Sequence, residues 1–118
     1  MFQSTLNRLV DSVQGALGAA VMNRSGVVVE HVRSSECLDS SLDGIPELGP
    51  IFDQLDGMRD LFDPGEYQSC IIHGANRVIL MRPLNQDYIA LFWVRPTTIL
   101  GKAKFKLRVV TPDLAAEL

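Results

Sequence analysis

Apolar residues at the start of the chain recur at the spacing of an amphipathic helix. The pattern predicts a helix over Gln3–Gln14, with Ser4 or Thr5 as its N-cap and Gly15 as its stop. The stripe consists of Leu6, Leu9, Val10, Val13 and Leu17.

Two strands follow this helix. Residues 17–22 are small and apolar, and residues 27–32 are rich in valine. The short link Arg24-Ser25-Gly26 is typical of a tight turn, so the two strands are expected to form an antiparallel hairpin.

A second helix is predicted over Pro50–Phe62, after a polar segment that we interpret as a loop over residues 33–48. Proline suits the first helical turn, and Asp63-Pro64-Gly65 is a strong turn signal. About half of the helix circumference is apolar at 100° per residue. That apolar arc comprises Ile51, Phe52, Leu55, Met58, Leu61 and Phe62. The opposite side carries Asp53, Asp56, Asp60 and Asp63.

Three further strands are predicted over Tyr67–His73, Val78–Arg82 and Tyr88–Val94, with turns at residues 74–76 and 85–87. The strand Tyr88–Val94 is apolar on both faces. It should therefore lie centrally, with a layer of structure on each side. Phe92 and Trp93 are adjacent residues of this strand, and each should enter a different layer of the core.

The last segment fits two periodicities. Alternating basic and apolar residues over 102–109 resemble a strand, whereas a second set of apolar residues has helical spacing. We favour a helix, which Thr111-Pro112-Asp113 should kink or restart. The helical set is Ile99, Leu100, Ala103, Leu107 and Val110.

The element order is therefore α-β-β-α-β-β-β-α. It predicts an α/β protein of the α+β type, in which a five-stranded antiparallel sheet lies between helical layers. The 118 residues are enough for one domain with its own core, so residues 1–118 are interpreted as a single domain.

Charge is distributed unevenly along the chain. Residues 36–66 contain nine acidic residues and one basic residue, whereas the remainder contains five acidic and ten basic residues. This asymmetry favours directional protein contacts over nucleic-acid binding, which prefers a basic domain. Four of the basic residues fall on two different sides of the last predicted helix and do not form one continuous stripe. This argues against a basic patch that binds a membrane or a nucleic acid. These four residues are Lys102, Lys104, Lys106 and Arg108.

The two cysteines, Cys37 and Cys70, are too far apart and too few for a disulfide framework or a zinc site. This cysteine usage predicts a reducing, cytoplasmic environment. No secretory signal is expected, because Asp11 interrupts the apolar residues after Arg8. The longest apolar run is far too short to span a membrane.

No catalytic constellation is expected. Cys70 and His73 lie three positions apart on a strand and should point to opposite faces, while His31 is remote from both. The segments around Gly15-x-x-Gly18 and residues 44–49 lack a phosphate-binding pattern. We therefore expect no enzyme activity, no cofactor and no metal.

The acidic side of the second helix leaves alternatives open. A divalent metal is conceivable there, but a solvated face is favoured because nothing supplies a rigid ligand cage. A surface for docking a partner protein is its functional variant. The residues concerned are Asp53, Asp56, Asp60 and Asp63.

The chain resembles the Roadblock/dynein light chain family. The resemblance lies in LNRLVDSVQGALGAAVMNRSGVVVEHV, CIIHGANRVILMRPLNQDYIALFWV and ILGKAKFKLRVV, in that order and spacing. Together these segments cover more than half of the chain. Residues 34–49 depart from the family pattern, because they are longer and more acidic. The Thr111-Pro112 break is a second departure.

This resemblance implies a non-enzymatic adaptor that dimerises with itself or with a paralogue. Members of the family serve as platforms for small Ras-like GTPases or for motor and signalling complexes. The resemblance also implies a dimer in which the third strands pair at the sheet edge and the second helices pack together. Here that interface would comprise Ile51, Phe52, Leu55, Met58, Phe62, Tyr67, Ser69, Cys70, Ile71 and Ile72.

The alternative hypothesis is a small-molecule sensor of the profilin-like or PAS-like type. Such a domain would hold its ligand in a cavity between the sheet and a helix. Met22, Met81 and Trp93 would line that cavity.

Overall fold

The computed structural model describes residues 1–35 and 44–118. It contains α1 (Gln3–Asp11), β1 (Ala16–Asn23), β2 (Val28–Arg33), a 3₁₀ helix (Ile45–Leu48), α2 (Ile51–Asp56), α3 (Arg59–Phe62), β3 (Cys70–His73), β4 (Val78–Pro83), β5 (Tyr88–Val94) and α4 (Leu100–Ala116). Cys37 and the acidic residues Glu36, Asp39 and Asp43 lie outside the described residues.

The five strands form one antiparallel sheet in the order β2-β1-β5-β4-β3. The predicted β1–β2 hairpin is confirmed, as is the central position of β5, which pairs with β1 and β4. The two outer strands are β2 and β3. The predicted α+β fold is therefore confirmed.

Each face of the sheet carries its own core. Helices α1 and α4 cover one face and enclose a cluster that includes Leu6, Phe92 and Leu107. The 3₁₀ helix and α2 cover the other face over a cluster that includes Phe52 and Trp93. Phe92 and Trp93 are both fully buried, one in each core, which confirms their prediction.

The first helix begins at Gln3, as predicted, but its N-cap residue and its end differ from the prediction. Phe2 is its N-cap residue, and neither Ser4 nor Thr5 caps it. Phe2 is only 3% exposed, so burial of its ring fixes where the helix begins. The helix ends at Asp11, three residues before the predicted end. The chain then reaches Gly15, whose φ of 95° only glycine adopts readily.

The predicted second helix is two short helices. Helix α2 ends at Asp56, and α3 begins after Gly57 and Met58. Glycine is a poor helix former, and Met58, with φ −103° and ψ 1°, lies outside helical geometry. The predicted single helix over Pro50–Phe62 was therefore wrong.

Other boundaries differ as well. Part of the predicted loop is the 3₁₀ helix, held by Ile45, which is 2% exposed. Strand β3 begins at Cys70 and not at Tyr67. The hydroxyl of Tyr67 donates a hydrogen bond to the carbonyl oxygen of Leu55 at 3.0 Å. This contact directs the residues before β3 towards α2.

The last element is a helix, as predicted, but it neither ends nor restarts at Pro112. The hydroxyl of Thr111 donates to the carbonyl oxygen of Leu107 at 2.7 Å. Beyond the proline, Leu114 is fully buried in the first core. Burial of this final turn offsets the one backbone hydrogen bond that proline removes. No helix in the described part of the chain is long and apolar enough to cross a membrane.

Candidate functional site

Exposed apolar side chains occur on α3 and on the edge strand β3. Leu61 and Phe62 of α3 are 81% and 58% exposed, and Met58 just before them is 43% exposed. On β3, Ile72 is 37% exposed. The ring centroid of Tyr67, three residues before β3, lies 6.5 Å from that of Phe62. We call these five residues the α3–β3 surface.

Backbone groups of β3 contribute to the same region. Within the described residues, β3 pairs with β4 on one side and with no strand on the other. An edge strand of this kind presents unpaired N–H and C=O groups, to which another strand can add. The α3–β3 surface therefore combines exposed apolar area with backbone hydrogen-bonding groups at a sheet edge.

The ten residues of the predicted dimer interface differ in exposure. Phe52 is 1% exposed and packs in the second core, so its side chain is not free to contact a partner. Met58, Phe62, Ser69 and Ile72 are exposed. Partly buried members pack against the cores of their own chain. They are Ile51, Leu55, Tyr67, Cys70 and Ile71.

Cys70 and His73 do not form a pair. Cys70 packs against the second core, and desolvation by this burial raises the pKa of its thiol. His73 is exposed at the other end of β3. A thiol with a raised pKa is a poor nucleophile at neutral pH, so this strand supplies no activated cysteine.

The four aspartates predicted as a partner surface are all exposed, but the break at Gly57 divides them. Asp53 and Asp56 lie on α2, whereas Asp60 and Asp63 belong to α3 and its C-terminal cap. Within residues 1–35 and 44–118, no group of three or more His, Cys, Asp or Glu could hold a metal ion.

Arg24 is a residue whose role the sequence analysis did not identify. From the β1–β2 turn, its guanidinium lies 3.4 Å from Asp53 and 3.8 Å from Asp56. It also donates to the carbonyl oxygen of Asn85 at 3.3 Å and stacks over the ring of Phe52. No sequence motif marks this position, because its partners come from two segments that are distant from it in sequence, α2 and the β4–β5 turn.

The residues proposed for a ligand cavity belong to the core. Met22, Met81 and Trp93 are all 0% exposed and pack in the second core. None of the three lines the open cleft beside α2. The packing therefore gives no specific support to the sensor hypothesis.

Solved structures with the same fold include three that cover nearly the whole chain. MglC from Myxococcus xanthus is 26% identical, with a TM-score of 0.73 over 99% of this chain and 98% of that chain. The gliding protein MglB from Thermus thermophilus is 17% identical, with a TM-score of 0.86 over 97% of this chain and 85% of that chain.

A Roadblock/LC7 domain from Streptomyces avermitilis is 10% identical, with a TM-score of 0.78 over 97% of this chain and 94% of that chain. No family model and no curated protein matches the sequence. The protein thus has the fold of the Roadblock/LC7 family, which its sequence resemblance predicted.

Proposed function

We propose that this protein is a dimeric, non-enzymatic adaptor that binds and regulates a small Ras-like GTPase. Two copies would associate through the α3–β3 surface about a two-fold axis. The observation that carries the proposal is that β3 is an edge strand within the described residues while Leu61 and Phe62 of α3 are exposed, with the ring of Phe62 6.5 Å from that of Tyr67, three residues before β3. Exposed large apolar side chains and an unpaired strand edge are both unfavourable in an isolated chain and are typical of an interface.

A two-fold contact suits both parts of this surface. Two antiparallel β3 strands can satisfy each other's outward backbone groups, which would extend the sheet across the dimer. The same axis would bring Met58 and Phe62 of each copy towards the partner copy. Phe52 is excluded from this interface, because it is already buried in its own chain.

The GTPase part of the proposal rests on the family resemblance and on the fold shared with MglC and MglB. The exposed aspartates of α2 and α3 would then serve as a docking surface. Control would require different affinities for the two nucleotide states of the GTPase, since a ligand shifts an equilibrium only by its differential affinity.

Charge placed on the α3–β3 surface is expected to prevent dimerisation. In sedimentation at micromolar concentration, the wild-type protein should have twice the mass of one chain. The Phe62→Glu variant should have the mass of a single chain. Phe105→Glu is the matched control, because Phe105 is 50% exposed but lies on α4, across the sheet. A monomeric wild type, or equal behaviour of the two variants, would contradict the proposed interface.

Binding to the GTPase is tested separately. Small GTPases from the same organism, loaded with GDP or with a non-hydrolysable GTP analogue, are captured on the immobilised protein. We expect one nucleotide form to be retained at least about tenfold more strongly, within the usual range of coupling between sites. Equal retention of both forms would exclude a state-specific regulator.

A further inference from the structure

Helix α4 carries a second apolar stripe, on the side that faces away from the sheet. The stripe that packs in the first core consists of Ala103, Leu107, Val110 and Leu114. A matching set begins two positions later along the helix and is exposed. It consists of Phe105, Val109, Pro112 and Ala116. Two residues correspond to about 200° of helical rotation, so the two stripes lie on opposite sides of α4. We call the exposed set the α4 ridge.

The α4 ridge is unusual for the outer side of a surface helix, which is normally polar. Its two large side chains, Phe105 and Val109, lie one turn apart and are each 50% exposed. Neither belongs to the α3–β3 surface, because α4 covers the first core and α2 covers the second. The proposed dimer interface therefore leaves the α4 ridge uncovered.

Basic residues flank the α4 ridge on both sides. Measured from Phe105 at 100° per residue, Lys102 and Lys106 lie about 60° and about 100° to one side. Arg108 and Lys104 lie at the same angles on the other side. The guanidinium carbon of Arg108 lies 5.5 Å from the centroid of the Phe105 ring. The two sides of α4 on which the sequence places these residues are thus the two flanks of one exposed apolar stripe.

The charge of these flanks is not neutralised within the chain. None of the four basic residues forms an ion pair within residues 1–35 and 44–118, and Asp113 of α4 pairs with Arg8 at 2.8 Å. Together α1 and α4 carry five basic and two acidic residues. Across the sheet, the 3₁₀ helix and α2 carry three acidic residues and no basic one. An anionic surface would therefore attract the molecule with α4 turned towards that surface.

Geometry selects among the partners that could cover the α4 ridge. A second copy of α4 would bring like charges together, which is unfavourable. An acidic helix of another protein would match the charge but would contact one ridge at a time. In the proposed dimer, two antiparallel β3 strands are related by an axis perpendicular to the sheet, so both α4 ridges lie on the same side of it. A flat anionic surface contacts both ridges at once, and the second contact adds to the affinity of the first.

We propose that the α4 ridge binds the surface of a membrane that contains anionic phospholipids. Phe105 and Val109 enter the headgroup region, while the four flanking basic residues contact the lipid phosphates. The acidic side of α2 then faces away from the membrane and stays open to a partner protein. Only the preference for a flat surface over a single acidic helix rests on the proposed dimer.

The test measures binding of the full chain to lipid vesicles. Vesicles of phosphatidylcholine with about one-third phosphatidylserine are mixed with the protein at low ionic strength and floated through a density gradient. We expect the wild-type protein to float with these vesicles but not with vesicles of phosphatidylcholine alone, which carry no net charge. Raising the ionic strength to about 1 M should release most of the protein, because the Debye length then falls to about 3 Å.

Two matched pairs of variants locate the contact. Val109→Ser should weaken vesicle binding at least about threefold, because apolar area is lost from the contact. Val29→Ser on β2 should not, although Val29 is 47% exposed. Lys104→Gln should weaken binding about fivefold, the contribution of one basic residue near an anionic surface. Arg33→Gln removes the same charge from β2 and should leave binding unchanged, because Arg33 follows Val32, which enters the first core, and so points to the other face.

Two further variants separate this proposal from the proposed dimer. Phe105→Glu should remain dimeric but lose vesicle binding. Phe62→Glu should be a single chain that binds the vesicles more weakly than the wild-type protein, because one of the two contacts is lost.

The outcomes are distinguishable. A dimeric wild-type protein that floats with neither kind of vesicle, or equally with both, would overturn the membrane contact and leave the dimer in place. Equal binding by Val109→Ser and Val29→Ser would also overturn it. A monomeric wild-type protein that floats only with the anionic vesicles would contradict the dimer and support the α4 ridge as a membrane contact.

Discussion

Close packing between neighbouring strands constrains single residues of this fold. Gly18 of β1 lies opposite Trp93 of β5. A Cβ atom on Gly18 would lie 2.6 Å from the indole Cζ2 of Trp93 and 2.9 Å from the carbonyl oxygen of Val32. The glycine is therefore required by the space that the indole occupies, and the absence of a side chain is what permits the close approach.

We expect Gly18→Ala to lower the free energy of unfolding by about 1–3 kcal/mol, the usual cost of overpacking a core. Urea denaturation measures the loss, and fluorescence of Trp93, the only tryptophan, reports whether the indole has moved. Gly101→Ala is the control, since nothing lies within 4 Å of its Cβ position. Wild-type stability for Gly18→Ala would contradict the predicted clash.

The assignment of residues to faces was predictable only for regular strands. The alternation of side chains along β5 correctly predicted that Phe92 and Trp93 lie in opposite cores, because successive side chains of a strand point to opposite faces. Phe52 was expected at a dimer interface but fills the second core. A broad apolar arc on a helix does not reveal which part faces its own sheet, so this distinction needed the tertiary structure.

At the scale of elements, a proline and a glycine within predicted helices have opposite outcomes. Helix α4 continues through Pro112 over 17 residues, whereas the predicted second helix divides at Gly57. Four buried side chains, spaced along the whole length, hold α4 against the sheet. They are Ala103, Leu107, Val110 and Leu114. Residues of α3 are not buried, so local propensity decides there.

Pro112→Ala should raise the free energy of unfolding by about 1–2 kcal/mol. Alanine restores a backbone N–H inside a helix, where proline is about 3 kcal/mol less favourable, and part of that difference is already relaxed in the native helix. Thermal and urea unfolding measure the change. Pro112 is exposed, so the substitution leaves no cavity. A loss of stability would mean that the ring itself makes a stabilising contact.

At the scale of the whole molecule, Arg24 connects the second layer of helices to the sheet. From the β1–β2 turn it contacts α2 through Asp53 and the β4–β5 turn through Asn85, and it covers the ring of Phe52. Its side chain is only 19% exposed, whereas its two carboxylate partners are 66% and 44% exposed. One side chain thus joins three segments that are distant in sequence.

Arg24→Met keeps the aliphatic stem but removes these polar contacts. We expect it to lower the free energy of unfolding by about 1–2 kcal/mol and to increase hydrogen exchange of the α2 amides more than that of the β5 amides. Arg8→Met is the matched control. Its ion pair with Asp113 is exposed on both sides, so removing it should change stability by less than about 0.5 kcal/mol. Equal effects of the two substitutions would show that Arg24 does not hold α2.

The sequence by itself determined the order of the elements, the β1–β2 hairpin and the central place of β5. These features follow from periodicity and turn chemistry, which act over a few neighbouring residues. Tertiary structure alone decided the burial of Phe2 at the start of α1, the burial of Phe52 in the second core and the contacts of Arg24 with α2 and with the β4–β5 turn. Contacts between distant segments set these features, and no local pattern records which segments will meet.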